Sequence, residues 1–284
     1  MLYYFFYIIA LLSLSQASII VRWSATDPLL LGAWRLLAAG SILLIWSKIY
    51  LPNIKADRAN VSKIIAAGFA FFIHLFSYAY SAHHTSISHL MLIFSLNPVT
   101  TAFGSWIFFK ERMTQRQALS YLLALLGIAI LAKEKLGSGN LGGDLMALAA
   151  ALTFSAYALL SKWARRDLPN SVFAARMYLA GSAFFFITLL IFGHSYLPSN
   201  SKAWMGICLL TLFPTLLGHG IFTLSLKHIP LSVLSLGKLI EPVLASMSAF
   251  LIFGEQLSSA AFISFGLIVT AVILVVLPAQ SRKN

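Results

Sequence analysis

Charged residues are scarce in this chain, and acidic residues are the scarcest. Only 10% of the 284 residues are charged and just 8 are Asp or Glu, while 60% are hydrophobic. A soluble domain usually carries about 25% charged residues. The deficit is too large for a buried core to explain, so the composition argues against an ordinary soluble domain.

Cysteine and the common motifs of cofactor chemistry are also missing. Cys208 is the single cysteine, which rules out an intrachain disulfide and leaves no cysteine pair to bind a metal. The sequence has no phosphate-binding Gly-rich loop with its lysine and no HExxH motif. We therefore expect no cofactor, no bound metal, no ATP-driven activity and no enzymatic function.

Long apolar runs are what the chain has instead. A helix that crosses a bilayer needs about 20 largely apolar residues. The links between the runs are too short to form a soluble domain, so we expect one all-α integral membrane unit with ten transmembrane helices. The ten candidate segments are 3–22, 28–47, 62–81, 86–109, 114–132, 142–162, 171–192, 202–225, 231–253 and 258–278.

The basic residues are distributed unevenly between the two ends of these segments. With a cytoplasmic N-terminus, 13 Lys and Arg lie on inside segments and 4 on outside segments. This is the bias of basic residues toward the cytoplasm that orients membrane proteins. It predicts cytoplasmic N and C termini. The net charge of +12 then indicates orientation and contact with membrane lipids rather than binding to nucleic acid.

An internal repeat joins two of the apolar segments. The sequence Asn97-Pro98-Val99 leads to a Phe-x-Glu motif at 109–111, and Glu241-Pro242-Val243 leads to another at 253–255. Both segments thus carry a helix-breaking proline at the same position. Helices interrupted at matching positions in two halves are typical of the midplane binding sites of secondary transporters.

Further matches extend the repeat to other helices. Arg35 matches Arg176 at an offset of 141 residues, and His74 matches His219 at an offset of 145. Five helices per half is an odd number, so the second half would enter the membrane from the opposite side. We therefore expect two inverted five-helix repeats, at 1–136 and 137–284. A miscounted span would instead make the halves parallel.

Lys238 and Glu241 are the most informative charges inside the apolar segments. Charge at the centre of a bilayer is costly and tends to be functional. The two residues are three positions apart, on one helix face. Their counterparts in the first half are the uncharged Phe94 and Asn97. Two interpretations are equally weighted: the pair contacts a zwitterionic substrate, or it is a salt bridge that only neutralises two buried charges.

Other polar residues in the segments allow two interpretations each. His219 and His74 are candidates for substrate or proton contact, and the alternative is a satisfied interior histidine. Pro98 and Pro242 are candidate hinges, and the alternative is a static kink. For Arg35 and Arg176 we favour extension toward lipid headgroups or a role in tethering helices over ligand contact.

The ten-helix plan and these motifs together resemble the EamA-type members of the drug/metabolite transporter superfamily. The motifs that show the resemblance best are Leu239-Ile240-Glu241-Pro242-Val243 with the 251–257 segment, and Leu96-Asn97-Pro98-Val99 with the 107–112 segment. The resemblance covers nearly the whole chain. It implies a multi-pass carrier of small metabolites in the bacterial inner membrane, often an exporter of amino acids or related compounds. It also implies a cavity between the halves, with helices 5 and 10 at the periphery.

We therefore expect a secondary transporter that works by alternating access, with helices 3, 4, 8 and 9 around the cavity and with proton coupling as an open question. A passive channel, a lipid scramblase and, least favoured, a membrane-embedded enzyme are the alternatives. A small-molecule substrate is the expected partner. No Gly-x-x-x-Gly lies within a predicted helix, so nothing indicates a specific dimer. The expected site residues are Glu241, Lys238, Asn97, His219 and His74, with Pro98 and Pro242 as hinges.

Overall fold

The computed structural model describes residues 2–52, 54, 58–135 and 140–276, and the secondary structure of these residues is helical. Eight helices in these ranges are long and apolar enough to cross a membrane. Two more helices have shorter apolar stretches at Gln115–Ile130 and Ser259–Leu274. The helices are α1 (Leu2–Ser24), α2 (Pro28–Tyr50), α3 (Arg58–His84), α4 (Ile87–Phe109), α5 (Gln115–Lys135), α6 (Leu141–Ala164), α7 (Asn170–Phe192), α8 (Ser201–Ser225), α9 (Leu231–Phe253) and α10 (Ser259–Val276).

The prediction of an all-α membrane protein is confirmed. Side chains such as Phe192, Leu251 and Phe108 are exposed on the outer surface, where a lipid environment accommodates them. Three points stay predictions: that α5 and α10 cross the bilayer, that the halves are inverted, and that both termini are cytoplasmic. The C-terminal residues 277–284 lie outside the described residues.

Polar side chains start several of the helices at the boundaries of the apolar runs. The Asp27 carboxylate accepts a hydrogen bond from the Leu29 amide at 2.7 Å, and Pro28 supplies the fixed φ angle of a first turn. The side chains of Asn140 and Asn200 accept from amides at the starts of α6 and α8 in the same way. These caps satisfy amides that have no partner inside the helix.

The helices pack in six main pairs. These pairs are α2 with α7, α3 with α6, α1 with α8, α4 with α6, α4 with α9, and α5 with α10. The large core between them contains fully buried aromatic side chains, among them Phe71, Phe154, Tyr157 and Tyr178. A second apolar cluster joins α5 and α10 to one side of α4 and α9.

Helices α4 and α9 are both interrupted just before their prolines. The first part of α4 ends at Phe94 and the second begins at Asn97, while α9 breaks at Lys238 and Leu239. The breaks fall where the paired prolines predicted them. Whether Pro98 and Pro242 act as hinges stays a prediction.

A proline has no N–H group, so the carbonyl four residues before it loses its usual hydrogen-bond donor. In both helices another group donates to that carbonyl. In α4, the Asn97 side-chain amide donates to the Phe94 carbonyl at 2.7 Å. In α9, the Glu241 backbone amide donates to the Lys238 carbonyl at 2.9 Å. These bonds stabilise the two breaks within the protein, as a membrane interior requires.

Helix α8 contains a third irregularity, a π-helical stretch at Thr211–His219 that includes Pro214. The Thr215 hydroxyl donates to the Leu210 carbonyl at 2.8 Å, which replaces the bond that Pro214 removes. Wide turns of this kind are often found at functional sites. This one carries His219 at its C-terminal end.

Candidate functional site

A narrow cavity lies between the interrupted part of α9 and the neighbouring helices. Its volume is about 20 Å³, which is room for roughly one water molecule. Five of its ten lining residues have ionisable nitrogen- or carboxylate-bearing side chains. The lining residues are Leu14, Ala17, Arg35, His74, Leu75, Tyr78, Phe94, His219, Lys238 and Glu241.

Lys238 and Glu241 form a direct ion pair in this cavity. The Lys238 Nζ atom lies 2.5 Å from Glu241 Oε1, and both residues are buried. Lys238 Nζ also lies 4.4 Å from the ring centroid of Phe154. The salt bridge considered from the sequence is therefore formed. Since the same two side chains line the cavity, the pair is also placed to meet a ligand.

The uncharged counterparts of this pair behave differently from each other. Phe94 lines the cavity, and its ring centroid lies 5.7 Å from Lys238 Nζ. Asn97 is buried and does not line the cavity, and its side-chain amide is bonded to the Phe94 carbonyl. The structure therefore assigns Asn97 a contact that stabilises the break in α4, and gives it no place in the cavity wall.

His74 and His219 meet at the cavity, with ring centroids 6.0 Å apart. His74 Nδ1 lies 2.9 Å from the Ala150 carbonyl, and a carbonyl can only accept, so Nδ1 is the protonated nitrogen. His219 Nδ1 is buried and has no hydrogen-bond partner among the described residues. The repeat predicted that these residues correspond, and the fold brings them together.

Arg35 is the one charged residue of the cavity wall that is not among the expected site residues. It is 4% exposed, and its Nε donates to the Thr215 hydroxyl at 3.0 Å. Of the two roles expected for Arg35, extension to lipid headgroups is wrong, because α7 and the wide turn of α8 cover this part of α2. The bond to Thr215 joins α2 to α8, which fits the tethering role. Pro214 was the available signal, since the turn it produces places Thr215 against Arg35. Arg176, its counterpart, is only partly buried and does not line the cavity.

The helices around the cavity are more numerous than expected. Besides α3, α4, α8 and α9, the cavity wall includes Leu14 and Ala17 of α1 and Arg35 of α2. Helix α1 is interrupted near Gln16, between its two lining residues. No strong breaker residue marks that interruption in the sequence.

The Phe-x-Glu motifs that follow α4 and α9 form a second kind of site at each end of the molecule. We call the first the Glu111 clamp: Glu111, Lys162, Leu231 and Ser232. The Glu111 carboxylate accepts from the backbone amides of Leu231 and Ser232 at 3.3 and 3.2 Å and pairs with Lys162. The end of α4 therefore holds the start of α9.

The reciprocal contact is the Glu255 clamp: Glu255, Arg22, Ile87 and Ser88. The Glu255 carboxylate accepts from the backbone amides of Ile87 and Ser88 at 2.9 and 3.3 Å and pairs with Arg22. The end of α9 therefore holds the start of α4. Anionic side chains at helix starts satisfy free amides and complement the helix dipole.

Both clamps depend on a sharp end of the preceding helix. Lys110 and Gly254, the residues just before the two glutamates, adopt left-handed conformations with φ of 57° and 67°. For Lys110 this conformation is unusual, whereas glycine adopts it without steric cost. The turn directs each glutamate back toward the partner helix. The sequence predicted the repeat of the motif but not this exchange.

Burial raises the pKa of Glu111, but hydrogen bonds from Lys162 and Ser105 and the Lys162 charge outweigh that effect. The net result is a pKa below the ordinary value of 4.5. Glu111 is therefore ionised near neutral pH, as its contacts with two amides and a cation require.

Together, the apolar helices and their buried charged centre define a multi-pass membrane protein of the transporter class. The model of the EamA-like transporter family matches residues 1–133 and 141–277, so the chain belongs to the EamA-like transporter family. The resemblance inferred from the sequence is thus confirmed.

Similar proteins agree with this assignment. The uncharacterized transporter YwfM of Bacillus subtilis is 26% identical over 92% of this chain and 87% of its own length. The uncharacterized transporter PA0485 of Pseudomonas aeruginosa is 24% identical over 83% of this chain and 78% of its own. A crystal structure of a protein 19% identical in sequence superposes with a TM-score of 0.78 over 96% of this chain and 95% of that one, which shows a shared fold.

Proposed function

We propose that this protein is a secondary transporter that moves a small metabolite, such as an amino acid or related compound, across the bacterial inner membrane. Export is the proposed direction and alternating access the proposed mechanism. The observation that carries the proposal is the Lys238–Glu241 pair, which lies buried at the break of α9 and in the wall of a cavity between helices of both halves. Buried charge at a helix break inside a membrane is typical of transporter binding sites.

The arrangement of the halves supports the proposal. If the five helices of 1–136 are exchanged with those of 137–284, the pairs α2–α7, α4–α9 and α5–α10 map onto themselves, and α3–α6 maps onto α1–α8. An inverted repeat of ten crossing helices, with cytoplasmic termini, accounts for this pattern. The cavity then lies where the halves meet.

The two clamps supply the proposed gates. In the inverted arrangement the Glu111 clamp lies at the cytoplasmic end and the Glu255 clamp at the opposite end. Each clamp joins α4 to α9, so releasing one clamp separates the helices at that face only. Alternate release would open the narrow cavity to each side in turn, with Pro98 and Pro242 as the hinges.

Transport by purified protein in liposomes tests the proposal. A carrier shows saturation and counterflow with amino acids or related metabolites, whereas a passive channel or scramblase shows neither. Glu241→Gln keeps the size of the side chain but removes its charge, so we expect transport and its pH dependence to be lost. Asp167→Asn, which makes the same change from acid to amide outside the cavity, is the control for a general effect of altered charge.

Two results would count against the site assignment. One is full transport with unchanged pH dependence in Glu241→Gln. The other is a Lys238→Ala variant whose folded yield falls but whose transport per folded molecule is normal. The second result would identify the ion pair as purely structural.

A further inference from the structure

We propose that the central cavity binds the carboxylate group of its ligand, and that Arg35 is the residue that receives it. This inference rests on the proposed transport function, and it specifies the substrate class as small organic monoanions and zwitterions with a free carboxylate. Uncharged compounds and simple amines are excluded from the class.

The charge balance of the cavity gives the first argument. Glu241 is the only acidic residue among the ten that line the cavity, and it is paired with Lys238. Whether the pair is ionised or has exchanged its proton, its total charge is zero. Arg35 remains protonated in proteins. The cavity therefore has an excess of at least one positive charge, which matches a single carboxylate.

The contacts of Arg35 give the second argument. Its Nε is bonded to the Thr215 hydroxyl, which fixes the direction of the guanidinium group. Its Nη2 is buried and has no hydrogen-bond partner among the described residues. A buried, charged donor without a partner is costly, and an arginine nitrogen fits a carboxylate oxygen well. The unpartnered His219 Nδ1 in the same cavity wall offers a second polar contact.

The narrowness of the cavity gives the third argument. A volume of about 20 Å³ does not hold a carboxylate together with the rest of a metabolite. Binding must therefore widen the space between α2, α8 and α9. A ligand carboxylate that enters beside Arg35 also approaches Lys238 and competes with Glu241 for it. Ligand binding and the state of the ion pair are thereby linked.

Simple carboxylates are the direct probes. The thermal stability of the purified full-length protein is measured with formate, acetate, propionate and a panel of L-amino acids. The comparison compounds are chloride, phosphate and the matched amino acid amides and methyl esters, all measured at equal ionic strength. A ligand that binds the folded state raises the apparent stability. We expect stabilisation by the carboxylates and amino acids, and none by the amides, esters or chloride.

Variants at the two corresponding arginines locate the effect. Arg35→Gln removes the charge, and we expect at least roughly tenfold weaker carboxylate binding, the usual effect of losing a charged hydrogen bond. Arg35→Lys keeps the charge without the planar fork and is expected to retain part of the affinity. Arg176→Gln is the matched control, because Arg176 lies outside the cavity wall. The affinity of this variant for carboxylates should equal that of the wild-type protein.

Several outcomes would overturn the inference. They are stabilisation by amides and esters equal to that by the acids, no stabilisation by any carboxylate, or equal loss of affinity in Arg35→Gln and Arg176→Gln. A preference for phosphate over acetate would assign the site to another anion. The comparison of acids with amides uses the wild-type protein, so it tests carboxylate binding even if Arg35→Gln does not fold. Counterflow of an uncharged compound would support the transport function but reject the carboxylate site. Carboxylate binding without any counterflow would support the carboxylate site but reject the transport function.

Discussion

The ends of α4 and α9 are built alike, whereas their centres differ. At each end a glutamate after a left-handed turn accepts two amides from the other helix and pairs with a cation. At the centre, Lys238 and Glu241 of α9 correspond to Phe94 and Asn97 of α4. Both helices break at the same position with these different residues. The fold of the break therefore does not require charge, and the charged pair in α9 calls for another explanation.

The largest effect is expected from breaking the central pair at one partner. Glu241→Ala leaves Lys238 buried without its partner, which typically costs about 3–5 kcal/mol. Asn97→Ala, at the matching position of α4, removes one hydrogen bond to a carbonyl and should cost about 1 kcal/mol. Thermal or denaturant unfolding of the purified protein measures both.

A double variant sharpens the same comparison. Lys238→Met with Glu241→Leu removes both charges, so the protein should be more stable than either single-residue variant. Additive losses in the double variant would contradict the view that the two charges neutralise each other. Additive losses would also mean that the charged centre of α9 is no different in kind from the uncharged centre of α4.

The clamps should respond alike when each loses its charge. Glu111→Gln and Glu255→Gln each weaken two bonds to amides and one ion pair, for an expected loss of about 1–3 kcal/mol in unfolding free energy. Both carboxylates are mostly buried, at 18% and 15% exposure, so solvent screening is modest. A loss confined to one variant would show that the ends are not equivalent.

Acid sensitivity tests the Glu111 clamp in a second way. A carboxyl group whose pKa is depressed in the folded state stabilises the protein at neutral pH, and that contribution is lost as pH falls through the folded pKa. Wild-type stability should therefore decline below about pH 4.5, the ordinary value for glutamate. The decline should be smaller in Glu111→Gln. Identical pH profiles for the two proteins would exclude the clamp as a source of stability.

The smallest effect is expected at an ion pair that holds no helix start. Lys63 and Asp167 form a contact of 3.2 Å in which the Asp167 side chain is 53% exposed. Such pairs contribute roughly 0–1 kcal/mol. Asp167→Asn should therefore leave stability nearly unchanged, while Glu111→Gln does not. Equal losses would mean that the ion pairs, and not the helix amides, give the clamps their strength.

Apolar runs, paired prolines and the internal repeat predicted the apolar helices, the breaks in α4 and α9 and four cavity residues, which are Glu241, Lys238, His219 and His74. These features can be recognised from the sequence alone. The position of Arg35 depended on tertiary packing, since only the turn around Pro214 places Thr215 against it. The exchange of Glu111 and Glu255 between helices also requires contacts between distant residues. Local patterns indicate where a helix breaks, but they do not show which helix covers a given side chain.

Distances across the two clamps test alternating access most directly. Spin labels are placed in a Cys208→Ser background, which removes the only native cysteine. One pair, at Met113 and Lys227, reports on the Glu111 end, and the other, at His84 and Gln256, reports on the Glu255 end. All four positions are exposed. Double electron–electron resonance in lipid nanodiscs measures the distance between the two labels of each pair.

The account predicts opposite responses at the two ends. Glu111→Gln should lengthen the distance between positions 113 and 227 and leave the other pair close, and Glu255→Gln should do the reverse. Lengthening at both ends together, as in an open channel, would contradict alternating access. So would unchanged distances at both ends in both variants.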